Sequence, residues 1–203
     1  MAGPFLLGLT GNIACGKSTV GQLLSERYGA EYVDADRLVH ALYAAGTAET
    51  AAIAARFGAN LLQSDGTIDR RRLGDLVMTS NAALRDLERI LDPGVGRAIV
   101  ERVEHTTAGV VVLDAIRLIE SGIADHCDTV WVVLCDRDVQ LQRLQASRGL
   151  SREQAAVRIA AQRPADEKLR HADAVITNNG SLDDLLRQIH AAWAATVEPA
   201  LTA

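Results

Sequence analysis

Lysine is scarce in this 203-residue chain: Lys17 and Lys168 are the only two among 21 basic residues. A protein that otherwise takes its positive charge from arginine keeps lysine where a compact point charge suits the partner, and phosphate is such a partner. Cysteine is scarce too. Cys15, Cys127 and Cys135 are odd in number and lack metal-ligand spacing, which argues against a disulfide framework and for reduced thiols. No uninterrupted apolar run approaches the roughly 20 residues a membrane helix needs. The segment Met1-Ala2-Gly3-Pro4 has no basic region, so no secretory leader is expected and the cytoplasm is the expected location. Positive charge does not dominate either. With a net charge of −5 and one dense basic run, Arg70-Arg71-Arg72, that reads as a solvated helix start, nucleic acid is not an expected partner. Repeats and low-complexity segments are absent, and the length suits one domain with small appendages.

Against these absences stands Gly11-Asn12-Ile13-Ala14-Cys15-Gly16-Lys17-Ser18, directly after the apolar run Phe5 to Leu9. The spacing is Gly, four residues, Gly, Lys, Ser, which is a phosphate cradle. Its glycines let successive backbone N–H groups turn inward, and the helix opening at Lys17 and continuing through Thr19 adds the positive end of its dipole. Lys17 can reach the β- and γ-phosphates of a bound triphosphate, and the Ser18 hydroxyl can ligate Mg²⁺. Val20, Leu23 and Leu24 fall on one face of the following helix, as the motif requires. Guanine recognition is not expected, because neither Asn-Lys-x-Asp nor Asp-x-x-Gly occurs anywhere.

Strand-like and helix-like segments alternate, which predicts an α/β fold with a parallel sheet. The candidate strands are Phe5 to Leu9, Glu31 to Val33, Val110 to Leu113, Thr129 to Leu134 and Ala174 to Thr177. A helical insertion spans about 37–107, punctuated by the Asp65-Gly66 turn, a helix start at Asp69, and Pro93. A second helical hairpin, about 138–171, is broken at Arg148-Gly149-Leu150 and at Pro164. The core is then 1–36, 108–137 and 172–203. Insertions at the carboxyl ends of the strands would cover the phosphate site, which makes the first an acceptor-binding unit and the second a lid.

Acidic residues suggest the chemistry. Val33-Asp34-Ala35-Asp36 ends the second strand, and residues two apart on an extended segment point to one side, so both carboxylates are expected in the cleft. Asp36 is the first choice for the group that takes the acceptor's proton and Asp34 the second; helix capping is the structural alternative for either. Val110-Val111-Val112-Leu113-Asp114 has the form of an apolar strand ending in a magnesium-holding acid. Arginines crowd the lid: Arg137, Arg143, Arg148, Arg152, Arg158 and Arg163. Arg143 and Arg148 are the candidates to fold over the phosphates.

These elements in this order resemble the dephospho-coenzyme A kinase family over nearly the whole chain. The marks are Gly8-Leu9-Thr10-Gly11 with the cradle, Asp34-Ala35-Asp36, Phe57-Gly58, and Asp65-Gly66-Thr67-Ile68-Asp69-Arg70. Leu87-Glu88-Arg89-Ile90, Gln140-Leu141-Gln142-Arg143 and Gly149-Leu150-Ser151 continue them. Arg158-Ile159-Ala160-Ala161-Gln162, Lys168, Ala172-Asp173 and Asn178-Asn179-Gly180-Ser181 complete the set. The resemblance implies a P-loop, nucleotide-kinase-like fold with acceptor domain and lid. It implies ATP with Mg²⁺ as donor and transfer to the ribose 3′-hydroxyl of dephospho-CoA, the last step of coenzyme A synthesis.

Three positions depart from the family pattern. Asp92-Pro93 stands where His-Pro is usual, and Ile116-Arg117-Leu118-Ile119-Glu120 where Pro-Leu-Leu-Phe-Glu is usual. Asp92 and Arg117, with Asp34, Asp36 and Arg70, are the expected acceptor contacts. Ala14-Cys15 replaces Gly-Ser in the cradle, and Ala14 allows the backbone path if its φ stays negative. The departures keep two alternatives open: a related kinase with another nucleotide acceptor, and a regulator that binds nucleotide without transferring phosphate.

Overall fold

The computed structural model describes residues 3–162 and 164–202. Its centre is an all-parallel sheet of β1 (Phe5–Gly11), β2 (Glu31–Asp34), β3 (Val110–Asp114), β4 (Thr129–Leu134) and β5 (Ala174–Thr177) in the order 2-3-1-4-5. Parallel strands are buried on both faces and read as continuous apolar runs, and β3 is buried at every position. Side chains alternate between faces. Leu7, Leu9, Val110, Val112, Trp131, Val133 and Ile176 share one core with Val20, Leu23 and Leu24 of α1 (Lys17–Tyr28) and with Leu185, Ile189 and Trp193 of α9 (Leu182–Thr196). Ser181 and Asp184 form a reciprocal capping box that starts α9.

Between α1 and α9 the chain forms α2 (Ala35–Leu42), α3 (Ala48–Phe57), α4 (Arg70–Met78), α5 (Asn81–His105), α6 (Arg137–Arg148), α7 (Arg152–Ala160) and α8 (Ala165–Leu169). Two compact units result: Ala35–His105, and Met1–Asp34 with Thr106–Ala203. The first has its own apolar cluster, built on Ile53, Leu61, Ile68, Leu73 and Leu87. Asp69 caps α4 by accepting from the Arg71 and Arg72 amides. Asp65 accepts from the Thr67 amide across the expected turn, and Gly66 there has φ 81°.

Pro93 does not punctuate this unit as expected. It lies inside α5, which continues for 25 residues. An interior proline removes one amide and crowds the preceding turn, at a cost of about 3 kcal/mol. Burial of Leu91, Gly94, Val95 and Ile99 on both sides of it offsets that cost. Near the carboxyl end the short helix α10 (Glu198–Leu201) follows the fully buried Val197. Among the described residues no helix is long and apolar enough to cross a membrane.

Candidate active site

The loop from Gly11 to Gly16 leaves β1 and enters α1 at Lys17. Gly16 has φ 92°, and a side chain there would lie 2.2 Å from Asn178 Nδ2, so only glycine fits. It also gives α1 no side-chain cap. The first amides of the helix are thereby left for an anion. Lys17 is half-buried at this opening, and Ser18 and Thr19 are exposed.

Three consecutive carbonyls of the loop are taken from outside. Gln140 Nε2 donates to Ile13 O at 2.9 Å, and Arg143 Nη1 donates to Ala14 O and Cys15 O at 3.3 Å each. Asn178 Nδ2 also donates to Cys15 O, at 2.9 Å, and Gln162 Oε1 accepts from the Ile13 amide at 2.7 Å. In a trans peptide the next N–H points opposite to the carbonyl. Outward carbonyls at residues 13, 14 and 15 therefore turn the amides of Ala14, Cys15 and Gly16 toward the concave side, where Cys15 N–H makes a long 3.3 Å bond to Asn12 O. Ile13 and Ala14 also pack against Leu141 and Leu144 of α6 and Ala155 of α7. The cradle's shape is thus built by α6, α7 and the segment after β5.

Arg143 reaches the site, but from the outer side. Its Nη1 is engaged with the loop carbonyls and its Nη2 with Asn178 O at 3.0 Å, so it braces the cradle, and it also lines the cleft beside it. The cause is chain geometry: α6 leaves β4 beside the loop's back. Arg148 is exposed at the last residue of α6, about 7.5 Å further along the axis than Arg143. Arg163 lies outside the described residues. Gln140, Gln162 and Asn178 were not expected as site residues. One signal was available: Gln140 sits on the apolar face of α6 beside Leu141 and Leu144, a position that glutamine occupies only with a buried partner.

Ala14 breaks the condition set for it. Its φ is +59°, the one positive value for a non-glycine among the described residues. In this conformation its carbonyl accepts from Arg143 Nη1 and from the Cys135 thiol, the latter at 3.8 Å. The neighbouring Cys15 thiol is buried and accepts from Gln140 Nε2 at 3.4 Å. Hydrogen bonding from Cys135, with the Lys17 charge beyond it, brings the Cys15 thiol down to about 7 against the opposing effect of burial. The Cys135 thiol is pushed up by the same contact and by its own burial.

At the end of β3, Asp114 is 7% exposed and accepts from the Tyr32 hydroxyl at 2.7 Å. Asp34 on β2 is its direct Cα partner. Asp36 is placed differently from the expectation, because the extended segment stops at Asp34 and α2 begins with the buried Ala35. Asp34 ends a strand and Asp36 lies exposed in the first turn of a helix, so period-two alternation does not join them. Arg70 is exposed at the first residue of α4, Asp92 is half-buried in α5, and Arg117 is half-buried in the loop after β3.

Lys168 does not serve a phosphate. Its ammonium is buried and donates to Ile116 O at 2.6 Å and to the Glu120 oxygens at 3.0 and 3.2 Å, three acceptors for three protons. It ties α8 to the loop after β3. Beside the cradle a cleft of about 270 Å³ is lined by Gly16, Thr19, Arg143, Asn178, Gly180 and Ser181, with Leu182 and Leu185.

A glycine-rich cradle closing on the amino end of α1, on a parallel sheet of order 2-3-1-4-5, defines a P-loop phosphotransferase. The sequence narrows the class. The family model described as dephospho-CoA kinase matches residues 5–184, and the chain belongs to that family. A dephospho-CoA kinase of Geobacter metallireducens is 43% identical over 95% of this chain and 97% of its own. Among solved structures, TT1252 of Thermus thermophilus superposes with a TM-score of 0.81 at 33% identity, covering 95% of this chain and 98% of that one. The dephospho-CoA kinase of Campylobacter jejuni gives 0.65 at 26% identity, over 94% and 96%.

Proposed function

We propose that this chain transfers the terminal phosphoryl group of ATP to the ribose 3′-hydroxyl of dephospho-CoA, with Asp36 accepting the hydroxyl proton. The observation that carries the donor half is the set of loop carbonyls gripped from outside by Gln140, Arg143 and Asn178. A cradle preorganised in this way meets the triphosphate without reorganising its backbone at the moment of transfer. The amides of Ala14, Cys15 and Gly16 and the start of α1 bind the phosphates, Lys17 stabilises the β- and γ-oxygens, and Gly11, Asn12 and Ile13 form the loop's first limb. The adenosine end takes the cleft lined by Thr19, Asn178 and Gly180. Arg148 belongs to the lid that excludes water from the transfer.

Mg²⁺ fits the residues at hand. Ser18 and Asp114 are oxygen donors, and no group of three or more metal-binding side chains occurs among the described residues. One hydroxyl and one carboxylate, completed by substrate phosphates, suit magnesium, which seldom takes an all-protein cage. Ser18 and Asp114 would hold the ion, whose contribution when bound is to neutralise phosphate charge. Asp34, Arg70, Asp92 and Arg117 are the residues assigned to the acceptor. Arg70 and Arg117 supply charge for its phosphates, and Asp92 stands where the family pattern has an imidazole.

The test is ADP release with ATP and Mg²⁺ against dephospho-CoA and a panel of nucleoside monophosphates. Turnover with dephospho-CoA alone supports the assignment. Turnover only with a monophosphate would overturn the acceptor, and none with any acceptor would make the chain a nucleotide-binding regulator.

A further inference from the structure

Asp114 is held by a residue that lies outside the cradle. Tyr32 is on β2, two residues before Asp34 and on the same face of the sheet as Asp114, the face covered by α1. Its ring lies directly beneath the helix. A side chain at Gly21 would come within 2.2 Å of Tyr32 Cε2 and 2.4 Å of Cδ2, so α1 admits this ring only because residue 21 has no side chain. Gly21 is three residues after Ser18, and residues three apart are surface neighbours on a helix. The phenol therefore sits under the helix face that begins at Ser18, and its hydroxyl donates at 2.7 Å to Asp114 Oδ2.

We propose that Tyr32 is a positioning residue for magnesium: wedged between Gly21 and the sheet, it fixes the rotamer of Asp114 so that the carboxylate is aimed before the ion arrives. An unrestrained aspartate would lose side-chain freedom on each binding event, whereas one already anchored by a sheltered hydrogen bond does not. Hydrogen-bond partners behind a metal ligand typically change metal affinity by about 10- to 100-fold when removed. The inference rests on the assignment of Asp114 as a magnesium-holding residue, and the experiment separates the two.

ADP affinity is measured by calorimetry with and without Mg²⁺, and Mn²⁺ binding to the ADP complex by electron paramagnetic resonance, in wild type, Tyr32→Phe, Gly21→Ala and Asp114→Asn. The expected result for Tyr32→Phe is metal binding weakened about tenfold, metal-free ADP affinity within twofold of wild type, and turnover restored at saturating Mg²⁺. Gly21→Ala, which displaces the ring, should shift metal binding in the same direction. Normal metal binding in Tyr32→Phe beside weak binding in Asp114→Asn overturns the role of Tyr32 alone. Normal metal binding in Asp114→Asn overturns the ligand assignment beneath it. An equal loss of metal-free ADP affinity in Tyr32→Phe would show that the tyrosine supports only the cradle or the fold, and would also overturn the proposal.

Discussion

Replacing Lys168 with methionine should unfold this protein far more readily while leaving nucleotide binding intact. The Lys168 side chain is 4% exposed and its partner Glu120 19% exposed, so the pair is sheltered from water and salt. Methionine keeps most of the volume but removes three donors at once, from Ile116 O and both Glu120 oxygens. A buried carboxylate left without its cation costs about 3–5 kcal/mol. For a domain of this size each kcal/mol moves the melting midpoint by about 2–4 °C, so a fall of about 6–20 °C is expected. Urea denaturation followed by circular dichroism measures the loss directly, at low salt and again at high salt. Glu120→Gln alone should cost less, because Ile116 O still accepts from the lysine. The double variant Lys168→Met with Glu120→Gln should recover part of the loss, since no unpaired charge remains. At 20 °C the folded fraction of Lys168→Met should bind ADP within about threefold of wild type. A loss below about 1 kcal/mol, or strict additivity in the double variant, would refute the account of Lys168 as a structural cation.

Asp36→Asn should reduce turnover by at least about a hundredfold with ATP affinity nearly unchanged, measured as a kcat against KM split; normal turnover removes Asp36 from the chemistry. Ala14→Gly relieves a left-handed alanine at φ +59°, and the relief of about 1 kcal/mol is partly cancelled by the freedom glycine adds to the unfolded chain. The substitution should be neutral or slightly stabilising in urea, whereas Ala14→Val should destabilise clearly; the reverse order would show that the strain is not real. Burial, with Asp128 adding to it, pushes the Cys127 thiol up to about 12, so the folded state keeps a proton that the unfolded state loses at an ordinary thiol pKa. That contribution is complete below about pH 8.5 and is lost as pH rises toward 12, by up to about 1.4 kcal/mol per pH unit. Cys127→Ala should flatten the fall in stability between pH 8.5 and 10, and an unchanged slope would contradict the raised pKa of this half-buried thiol.

The central strands were legible because a parallel sheet leaves them no polar face: Val110 to Leu113 and Thr129 to Val133 are buried from end to end. The cradle was legible because its chemistry is contiguous, from the glycine turn through Lys17 to Ser18. Local pattern failed where the deciding partner is remote. Pro93 looks like punctuation until the apolar residues on both sides of it are seen buried, and Asp34-Ala35-Asp36 looks like one alternating row until α2 starts at Ala35. The same limit hid the second partner set of Arg143: its contacts with carbonyls about 130 residues away in sequence are encoded by no spacing. Gln140, Gln162 and Asn178 converge on the same loop, and each is an uncharged amide. An amide carries both a donor and an acceptor, so it can hold either a backbone carbonyl, as Gln140 and Asn178 do, or a backbone N–H, as Gln162 does, whereas a cation can only donate. Only one of the four braces is charged, and it spans two loop carbonyls and Asn178 O, where a single amide could not reach all three. The family marks late in the chain are accordingly of two kinds, those that build the cradle from behind and those, such as Lys168, that pin the segments carrying it. Neither kind has to touch a substrate to shape the loop that carries the site.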